Sequence, residues 1–309
     1  MPTVIITGGT GLVGRALGQA LLEKGYKVIV FTRGREHTID ATAAITGIVF
    51  AEWNVEQQWV NKEAIAGADY IVHLAGAGVA DKRWTKKRKQ AIVESRVNSS
   101  KLLVDSLEKI PNKVKAVISA SAIGWYGPDP SIPNLKPFAE DDAAADDFLG
   151  KTCEQWEDSI EPVTMLGKRL VKLRTGIVLS NDGGALPEFK KPLKFGIAAI
   201  LGSGKQVVSW IHIDDLVRMY IAAIENSAMN GSYNAVAPNR ASNKELTINL
   251  AKKRNRFYIP VHVPAFLLRF LLGEMSIEVL KSTTVSCKKI KATGFSFAFP
   301  DITAVIRTI

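Results

Sequence analysis

The sequence predicts an α/β protein in which a doubly wound parallel sheet is joined to a smaller, mostly helical C-terminal lobe. Two observations predict this class. Short apolar runs rich in β-branched residues alternate with helical patterns as far as residue 179, and the chain beyond is richer in loops and helices. Strands that alternate with helices pair in parallel through right-handed crossovers. Such a sheet binds its ligands at the carboxyl ends of its strands.

Six strand-like runs follow one another along this first part of the chain. Each contains a short apolar stretch that suits a sheet covered on both faces, and long helical patterns separate most of them. In chain order they are "VIIT", "KVIVFTR", "ITGIVFAEWN" ending near Asn54, "ADYIVHLAGAG", "VKAVISASAIGWYG" and "KRLVKLRTGIVL".

Four glycines stand in the turn between the first strand and the first helix. Gly8, Gly9, Gly11 and Gly14 follow the first run, and apolar residues at helical spacing continue from Val13. Without side chains the backbone there can approach a pyrophosphate, and the helix amino terminus is aimed at its negative charge. An ordinary tight turn is the alternative, but the strand before, the helix after and the second strand beyond supply the context of the motif. The pattern therefore predicts a Rossmann fold that binds a dinucleotide.

The remaining chain completes the predicted domain organisation. Residues 1–179 form the dinucleotide-binding Rossmann domain, and residues 205–240 return to it with the capped amphipathic helix of "WIHIDDLVRMYIAAIE". Residues 180–204 and 241–309 form the smaller C-terminal lobe. We expect this lobe to lie over the open end of the sheet, where it would enclose a substrate.

The end of the second strand indicates which dinucleotide binds. A free ribose 2′-hydroxyl is usually met by a carboxylate about twenty residues past the glycine turn, whereas this chain has Thr32, Arg33, Gly34 and Arg35 there. Arginine cannot accept a hydrogen bond from a hydroxyl, but its guanidinium fits a 2′-phosphate. The sequence therefore predicts NADP(H) over NAD(H), the alternative being a surface arginine at a strand end.

Composition sets the broad class. The chain has 309 residues, 47% hydrophobic and 23% charged, which is typical of a folded globular protein. Its two cysteines argue against a disulfide framework and favour a reducing, cytoplasmic setting. The stretch "VPAFLLRFLLG" is short and interrupted by Arg269, so we expect no membrane span and no membrane partner.

The chain has a formal net charge of +10, and its positive charge is most concentrated in "KRWTKKRKQ". Clustered cations suit nucleic acid, since binding releases counterions. They equally suit a solvated helix start whose field attracts an anionic cofactor or substrate. We favour the second interpretation, because no aromatic-rich strand of the RNA-binding type accompanies the run.

Several segments taken together resemble the extended short-chain dehydrogenase/reductase family. "TGGTGLVG", "HLAGAG", "SASAIGWYG", "RTGIVL" and "WIHIDDL" occur in order, and "CEQWE", "VAPNRASNKEL" and "GFSFAFP" are similar to the branch of NAD(P)-dependent epimerase-family proteins whose C-terminal domain has unknown function. The resemblance covers nearly the whole chain. It implies a cofactor site made of Gly8, Gly11, Leu12, Val13, Gly14, Thr32, Arg33, Leu74, Ala75, Arg96 and Val178.

The catalytic pair of that family is missing. Its members carry a tyrosine and a lysine spaced Y-x-x-x-K, because lysine and cofactor charge lower the tyrosine pKa for proton exchange with the substrate. The alignment, supported by Glu157, places Phe148 and Thr152 at these positions. A family serine on the fifth strand is either Ser121 or, aligned on "YG", replaced by Ala122. The candidate replacements for the proton carrier are Ser121, Tyr126 and Lys151.

Other chemically capable residues have structural interpretations. His73 lies on a buried strand and is predicted to be a hydrogen-bonded core histidine. His212, Asp214 and Asp215 fit a helix N-cap with first-turn carboxylates, and Cys153 is expected to be a buried apolar side chain. We predict no metal site, because the four histidines show no paired ligand spacing.

Two functions remain open. The first is NADP(H)-dependent oxidoreduction or epimerisation of a small hydroxylated, carbonyl or nucleotide-sugar-like substrate. The covering lobe favours it, as do the aromatic residues Trp125, Tyr126 and Trp210, which we expect to belong to a substrate pocket. The second is a catalytically degenerate NADP(H)-binding sensor or regulatory protein, which the absence of the Tyr-x-x-x-Lys pair favours. Neither the substrate nor the oligomeric state can be derived from the sequence, and an oligomer is compatible with it.

Overall fold

A sheet of eight strands forms the centre of the molecule in a computed structural model, which describes residues 1–33, 47–254 and 257–308. Its strand order is β13-β7-β6-β5-β1-β2-β3-β4, and every neighbouring pair is parallel except β3 and β4. The strands of the chain are β1 Thr3–Thr7, β2 Lys27–Thr32, β3 Ile48–Asn54, β4 Trp59–Val60, β5 Tyr70–His73, β6 Ala116–Ala122, β7 Arg169–Thr175, β8 Ile177–Ser180, β9 Gly183–Gly184, β10 Ile197–Leu201, β11 Val207–Val208, β12 Trp210–His212, β13 Gly231–Ala235, β14 Ala241–Ser242 and β15 Ile259–Val263.

Helices connect these strands and cover both faces of the sheet. The described helices are α1 Leu12–Glu23, α2 Lys62–Gly67, α3 Lys86–Lys109, α4 Phe148–Ile160, α5 Leu186–Leu193, α6 Ile213–Glu225, α7 Asn243–Arg254, α8 Ala265–Leu272, α9 Ser276–Leu280, α10 Lys288–Ala292 and α11 Ile302–Thr308. Short 3-10 helices span Ile123–Trp125, Glu161–Leu166 and Gly273–Met275.

Alternation along the strands explains the two covered faces. Successive side chains of a strand point to opposite sides. Accordingly Val4 and Ile6 of β1 join one apolar cluster with α1 and α6, while Ile5 joins another with α2 and α3. The predicted doubly wound parallel sheet of the Rossmann type is confirmed, as is the helical character of the C-terminal segments.

One predicted strand is wrong in its extent. The sixth run, "KRLVKLRTGIVL", forms two strands, because the chain leaves the large sheet at Gly176. A Cβ at this glycine would lie 2.6 Å from the carbonyl oxygen of Ser209. This close backbone approach turns β8 away from β7 and into a small sheet with β12 and β9. Likewise Trp210–His212 is a strand, so the helix of "WIHIDDLVRMYIAAIE" begins only at Ile213.

A third apolar cluster holds the C-terminal segments together. It joins Leu179 of β8 and Trp210 of β12 to Leu186 of α5 and Leu246 of α7. Trp210 is completely buried here, so the expectation that it lines a pocket is wrong. Two parallel strands, β10 and β15, pair on this part of the molecule, and α8 follows β15 in the chain.

Two carboxylates, the buried Asp215 and the half-buried Asp129, attach the C-terminal segments to the sheet domain. Asp215 of α6 accepts hydrogen bonds from the backbone N–H groups of Ala298 and Phe299, at 2.9 and 2.8 Å. Asp129, in the loop after β6, accepts from the hydroxyls of Ser282 and Thr284, each at 2.7 Å. In the described part of the chain no helix is both long and apolar enough to cross a bilayer.

Candidate active site

The glycine turn is packed so tightly that side chains are excluded from it. Gly8 has a φ of +68°, and a Cβ there would lie 2.8 Å from the carbonyl carbon and oxygen of Leu74. A Cβ on Gly14 would lie 2.5 Å from the Cα of Gly9. The first contact presses the turn against the end of β5, and the second presses α1 onto the turn, so both glycines are required by close backbone approach.

Gly11 differs from these two because it is exposed at the surface. A Cβ there would meet only the carbonyl oxygen of Gly8 within 4 Å, at 3.3 Å. Gly11 is also the N-cap of α1, and it has no side chain with which to accept the N–H groups of the first turn. These groups, on residues such as Leu12 and Val13, remain at the positive end of the helix dipole. The arrangement fits a pyrophosphate.

A threonine that the sequence analysis missed organises the neighbouring strand end. Thr7 is the last residue of β1, and its hydroxyl oxygen lies 3.2 Å from the N–H groups of both Leu74 and Ala75, which donate to it. This bond fixes the two residues predicted to lie along the cofactor ribose. A hydroxyl residue directly before the glycine turn was the available signal.

His73, the last residue of β5, is a core histidine as predicted. It is fully buried, with Nδ1 2.7 Å from the Thr7 hydroxyl and Nε2 3.1 Å from the Ser100 hydroxyl. Burial, with a smaller contribution from the charge of Arg96, lowers its pKa from 6.5 to about 3. The imidazole is therefore neutral at physiological pH and holds Thr7 in place.

This histidine predicts an acid dependence of stability. Its folded pKa lies below the unfolded value of 6.5, so its contribution is complete above pH 6.5 and is lost as the pH falls toward 3. We expect it to lower the free energy of unfolding by up to about 1.4 kcal/mol per pH unit within that window. The free energy of unfolding, measured by urea unfolding at several pH values across that range, should change less steeply with pH for His73→Gln than for the parent. Equal slopes would contradict the assignment.

Arg96 of α3 lies beneath the loop that follows β5. Its Nη1 donates to the carbonyl of Ala77 at 3.0 Å, and its guanidinium carbon would lie 3.1 Å from a Cβ on Gly76. The guanidinium also lies 4.9 Å from the ring centroid of Trp156. Burial lowers the pKa of Arg96, which remains a cation. The structure thus places it against Gly76 and Ala77, which directly follow Leu74 and Ala75 in the chain, and its cofactor role stays a prediction.

The predicted 2′-phosphate site lies at the same edge of the sheet. Thr32 ends β2, and Arg33 follows it with its side chain exposed. Because Phe31 pairs in register with Thr7, this end of β2 stands beside the glycine turn. Gly34 and Arg35, named with them in the sequence analysis, lie outside the described residues.

A cleft of about 440 Å³ runs beside the start of α1. One wall is the turn between β8 and β9, where a Cβ on Gly184 would lie 3.4 Å from the Leu12 side chain and 2.7 Å from the carbonyl oxygen of Val178. Gly184 thus lies close to both Val178 and Leu12, two of the predicted cofactor residues, whose roles stay predictions. The lining residues are Leu12, Arg15, Ala16, Ser180, Asp182, Ile213 and Asp214. Arg15, Ser180 and Asp182 were not predicted, since no local pattern links them to the turn.

A buried polar network occupies the carboxyl ends of β6, β7 and β13. The Ser121 hydroxyl donates to Oε1 of Glu157 at 2.7 Å. Arg174 donates two hydrogen bonds to the same carboxylate, from Nε to Oε1 at 2.8 Å and from Nη2 to Oε2 at 3.0 Å. Its Nη1 donates to the Tyr126 hydroxyl at 3.0 Å, which in turn donates to Oδ1 of Asn234 at 2.8 Å. Two catalytic candidates, Ser121 and Tyr126, are therefore joined through one ion pair.

Burial and charge set the ionisation of this network. Burial alone would raise the pKa of Glu157, but the hydrogen bonds and charge of Arg174, helped by Ser121 and Lys172, hold it below its usual range. Burial raises the pKa of Tyr126 to about 12, against the opposing effect of Arg174. At neutral pH the network therefore holds a carboxylate, a guanidinium and a neutral phenol. Arg174 was missed, although a cation within the apolar run "VKLRTG" was a signal.

Ser121 and Ala122, the two positions that the sequence leaves open for the family serine, face different sides of β6. Along β6, Ala120 and Ala122 are half-buried, whereas Ser121 is only 3% exposed and faces α4. Of the predicted pocket aromatics, Trp125 is half-buried and stacks on Arg174, at 3.6 Å from ring centroid to guanidinium carbon. Tyr126 is 1% exposed.

The amino end of α4 lacks an ionisable group where the family has its tyrosine. Phe148 packs edge-on against Trp84, with ring centroids 5.0 Å apart. The Thr152 hydroxyl donates back to the Phe148 carbonyl at 2.6 Å. Lys151 points outward and pairs with Asp146, with Nζ 2.5 Å from Oδ1. Lys151 is thus separate from the Ser121 network, and the catalytic roles of the three candidates stay predictions.

Two further interpretations from the sequence are confirmed. His212 is the N-cap of α6, where Nδ1 accepts from the N–H of Asp214 at 3.2 Å, and Asp215 follows in the first turn. Cys153 is buried at 4% exposure, and burial raises its pKa to about 12. Within residues 1–33, 47–254 and 257–308, no three potential ligands form a metal-binding group.

The parallel sheet, the glycine turn and the strand ends around it define a Rossmann-type dinucleotide-binding domain of the extended short-chain dehydrogenase/reductase class. Residues 4–151 match the NAD dependent epimerase/dehydratase family, and residues 263–309 match a domain of unknown function, DUF1731. An epimerase family protein of Staphylococcus saprophyticus is 36% identical over 309 residues, covering 98% of this chain and 97% of the relative. The chain belongs to this epimerase family.

Solved structures extend the likeness over the whole chain. The human epimerase family protein SDR39U1, solved with NADPH, has a TM-score of 0.85 and 27% identity, covering 99% of this chain and 98% of the human one. A nucleoside-diphosphate sugar epimerase from Corynebacterium glutamicum has a TM-score of 0.76 and 32% identity, covering 99% of this chain but 57% of that one. The family resemblance is confirmed.

Proposed function

We propose that the protein binds NADP(H) and acts as an oxidoreductase or epimerase on a small hydroxylated, carbonyl or nucleotide-sugar-like substrate. The observation that carries the proposal is the exposed position of Gly11 at the uncapped start of α1, with Arg33 exposed at the neighbouring strand end. Support comes from the NADPH in the human relative and from the sugar-nucleotide activity named for the Corynebacterium glutamicum relative.

Different residues of this chain would bind the pyrophosphate, the 2′-phosphate and the ribose of NADP(H). The first turn of α1 would receive the pyrophosphate, and Arg33 the 2′-phosphate. Leu74 and Ala75, fixed by Thr7, would lie along the ribose, with Arg96 beneath them. Bound NADP(H) would supply or accept a hydride, and an epimerase would use it without net consumption.

Ser121 is the candidate that we propose for proton transfer to the substrate oxygen. Its hydroxyl donates to the Glu157 carboxylate at 2.7 Å. A substrate hydroxyl would pass its proton to Ser121 as Ser121 passes its own to Glu157, and the two reverse transfers would return the proton to a substrate oxygen. Tyr126 has a raised pKa, and Lys151 is paired with Asp146 at the surface. Both are less suited to exchange a proton near neutral pH.

The cofactor preference can be tested with one charge reversal. We expect Arg33→Asp to weaken NADPH binding at least tenfold, about 1.4 kcal/mol, and to leave NADH binding equal or tighter, because a carboxylate repels a 2′-phosphate and accepts from a 2′-hydroxyl. The measurement is quenching of tryptophan emission during titration with each dinucleotide. Lys27→Asp is the matched control, since it makes the same charge change at the opposite end of β2. If Arg33→Asp binds NADPH as the parent does, the proposal of NADP(H) is wrong.

A second function is favoured by one observation: Phe148 and Thr152 occupy the places of the catalytic pair. A protein that binds NADP(H) without turnover would act as a sensor or regulatory protein. Incubation of the NADPH-bound protein with nucleotide sugars, followed by product chromatography and NADPH absorbance, separates the two functions. Epimerised or reduced product supports the enzyme, while tight binding with none supports the sensor.

A further inference from the structure

Helix α8 presents apolar side chains outward. Phe266 and Phe270 are 72% and 76% exposed, and Leu267 and Leu271 are exposed with them. At 100° per residue these four positions fall within an arc of about 140° on the helix. Leu268, on the other side, is buried. A globular surface helix has its polar side outward, whereas the exposed surface of α8 is mostly apolar, with Arg269 as its one charged side chain.

The strand before α8 adds to this exposure. In β15 the side chains of Ile259 and Val261 are 68% and 41% exposed. They pair in register with Ile197 and Ala199 of β10, and paired residues of parallel strands share a face. Exposed apolar side chains therefore occur both on the strand and on the helix that follows it in the chain. A large exposed apolar patch on a folded protein marks an interaction site.

The basic run of α3 lies directly beside α8. Arg83 donates from Nη2 to the carbonyl oxygen of Phe270 at 3.3 Å. Lys89 pairs with Glu274, just beyond α8, at 2.9 Å. These contacts hold the amino end of α3 against the carboxyl end of α8. The cations that extend from this end with exposed side chains are Lys82, Lys86 and Lys87.

We propose that α8 and the adjoining basic run form a peripheral docking surface for an anionic lipid bilayer. Phenylalanine and leucine side chains enter the interfacial region of a bilayer, and lysines beside them bind acidic headgroups. An isologous dimer fits less well, because it would bring two copies of the same basic run into one interface. The proposal departs from the expectation of no membrane partner, which rested on the short length of "VPAFLLRFLLG". Lying on a membrane needs no spanning helix.

The proposal can be tested by sedimentation of the full chain with vesicles. We expect binding to phosphatidylcholine vesicles containing about one third phosphatidylglycerol, and little binding to pure phosphatidylcholine. The double variant Phe266→Ser/Phe270→Ser and the triple variant Lys82→Gln/Lys86→Gln/Lys87→Gln should each lower the partition coefficient roughly tenfold or more. All changed side chains are exposed, so the melting temperature should stay that of the parent.

Met165→Ser is the matched control, because Met165 is 80% exposed but lies beyond the carboxyl end of α4. It should bind vesicles as the parent does. Absence of vesicle binding by the folded parent would overturn the proposal, as would equal binding by all variants. A concentration-dependent dimer that Phe266→Ser/Phe270→Ser dissociates, without vesicle binding, would replace the membrane by a second copy of the chain.

Discussion

Replacing Gly14 with alanine is expected to lower the affinity for NADPH by on the order of 100-fold, about 2.7 kcal/mol. The added Cβ would lie 2.5 Å from the Cα of Gly9 and 2.6 Å from the carbonyl oxygen of Gly8. Both are backbone atoms, which cannot rotate away as a side chain would. The glycine turn must therefore move away from α1. The N–H groups of the first helical turn then no longer point together at the pyrophosphate site. Tryptophan quenching by NADPH measures the loss.

Stability should fall as well, by about 1–3 kcal/mol, since the clash overpacks the contact of helix and turn. Gly67→Ala is the control, because a Cβ at that helical position meets nothing within 4 Å. It should leave both NADPH affinity and melting temperature at or above the parent values. If Gly14→Ala binds NADPH like Gly67→Ala, the turn is not the pyrophosphate site.

The glycine turn could be predicted from sequence because its causes are local. A strand, four glycines and a helix lie within the first 23 residues, and each is specified by its own periodicity or lack of side chain. His73 could be interpreted for the same reason, since a histidine within an apolar strand must satisfy its ring nitrogens internally. The cofactor edge of the fold was therefore accessible to sequence reasoning.

The features that could not be predicted depend on distant backbone. Gly176 ends β7 because Ser209 approaches it, and these residues are far apart in the chain. Trp210 was expected in a pocket, yet it is buried by Leu179 and Leu246 from separate elements. The basic run was expected to be a solvated helix start, and its contacts with Phe270 and Glu274 arise only when the C-terminal segments fold back.

The Arg174 and Glu157 pair predicts the largest effect on stability. Both side chains are 4% exposed, and two hydrogen bonds join them. Removing Arg174 leaves the buried Glu157 carboxylate with the hydroxyls of Ser121 and Ser232 and with Lys172, whose Nζ is 3.6 Å away. Because its two closest charged hydrogen bonds are lost, Arg174→Met should lower the free energy of unfolding by about 3–5 kcal/mol. The double variant Arg174→Met/Glu157→Leu removes both charges and should lose less than Arg174→Met alone. Urea unfolding of the parent, both single variants and the double variant measures the coupling.

The pH dependence of this pair has a defined sign. The pKa of Glu157 is lowered on folding, so the carboxylate stabilises the fold above its unfolded pKa, and that stability is lost as the pH falls through the folded value.

Asp105→Asn is the control for Arg174→Met, because the pair of Asp105 with Lys109 is exposed and its loss should change stability by at most about 1 kcal/mol. If Arg174→Met is as stable as Asp105→Asn, the network at the strand ends is hydrated. Ser121 and Tyr126 would then be held by water rather than by a fixed charge pair, and Ser121 would lose the carboxylate on which its proposed proton transfer depends.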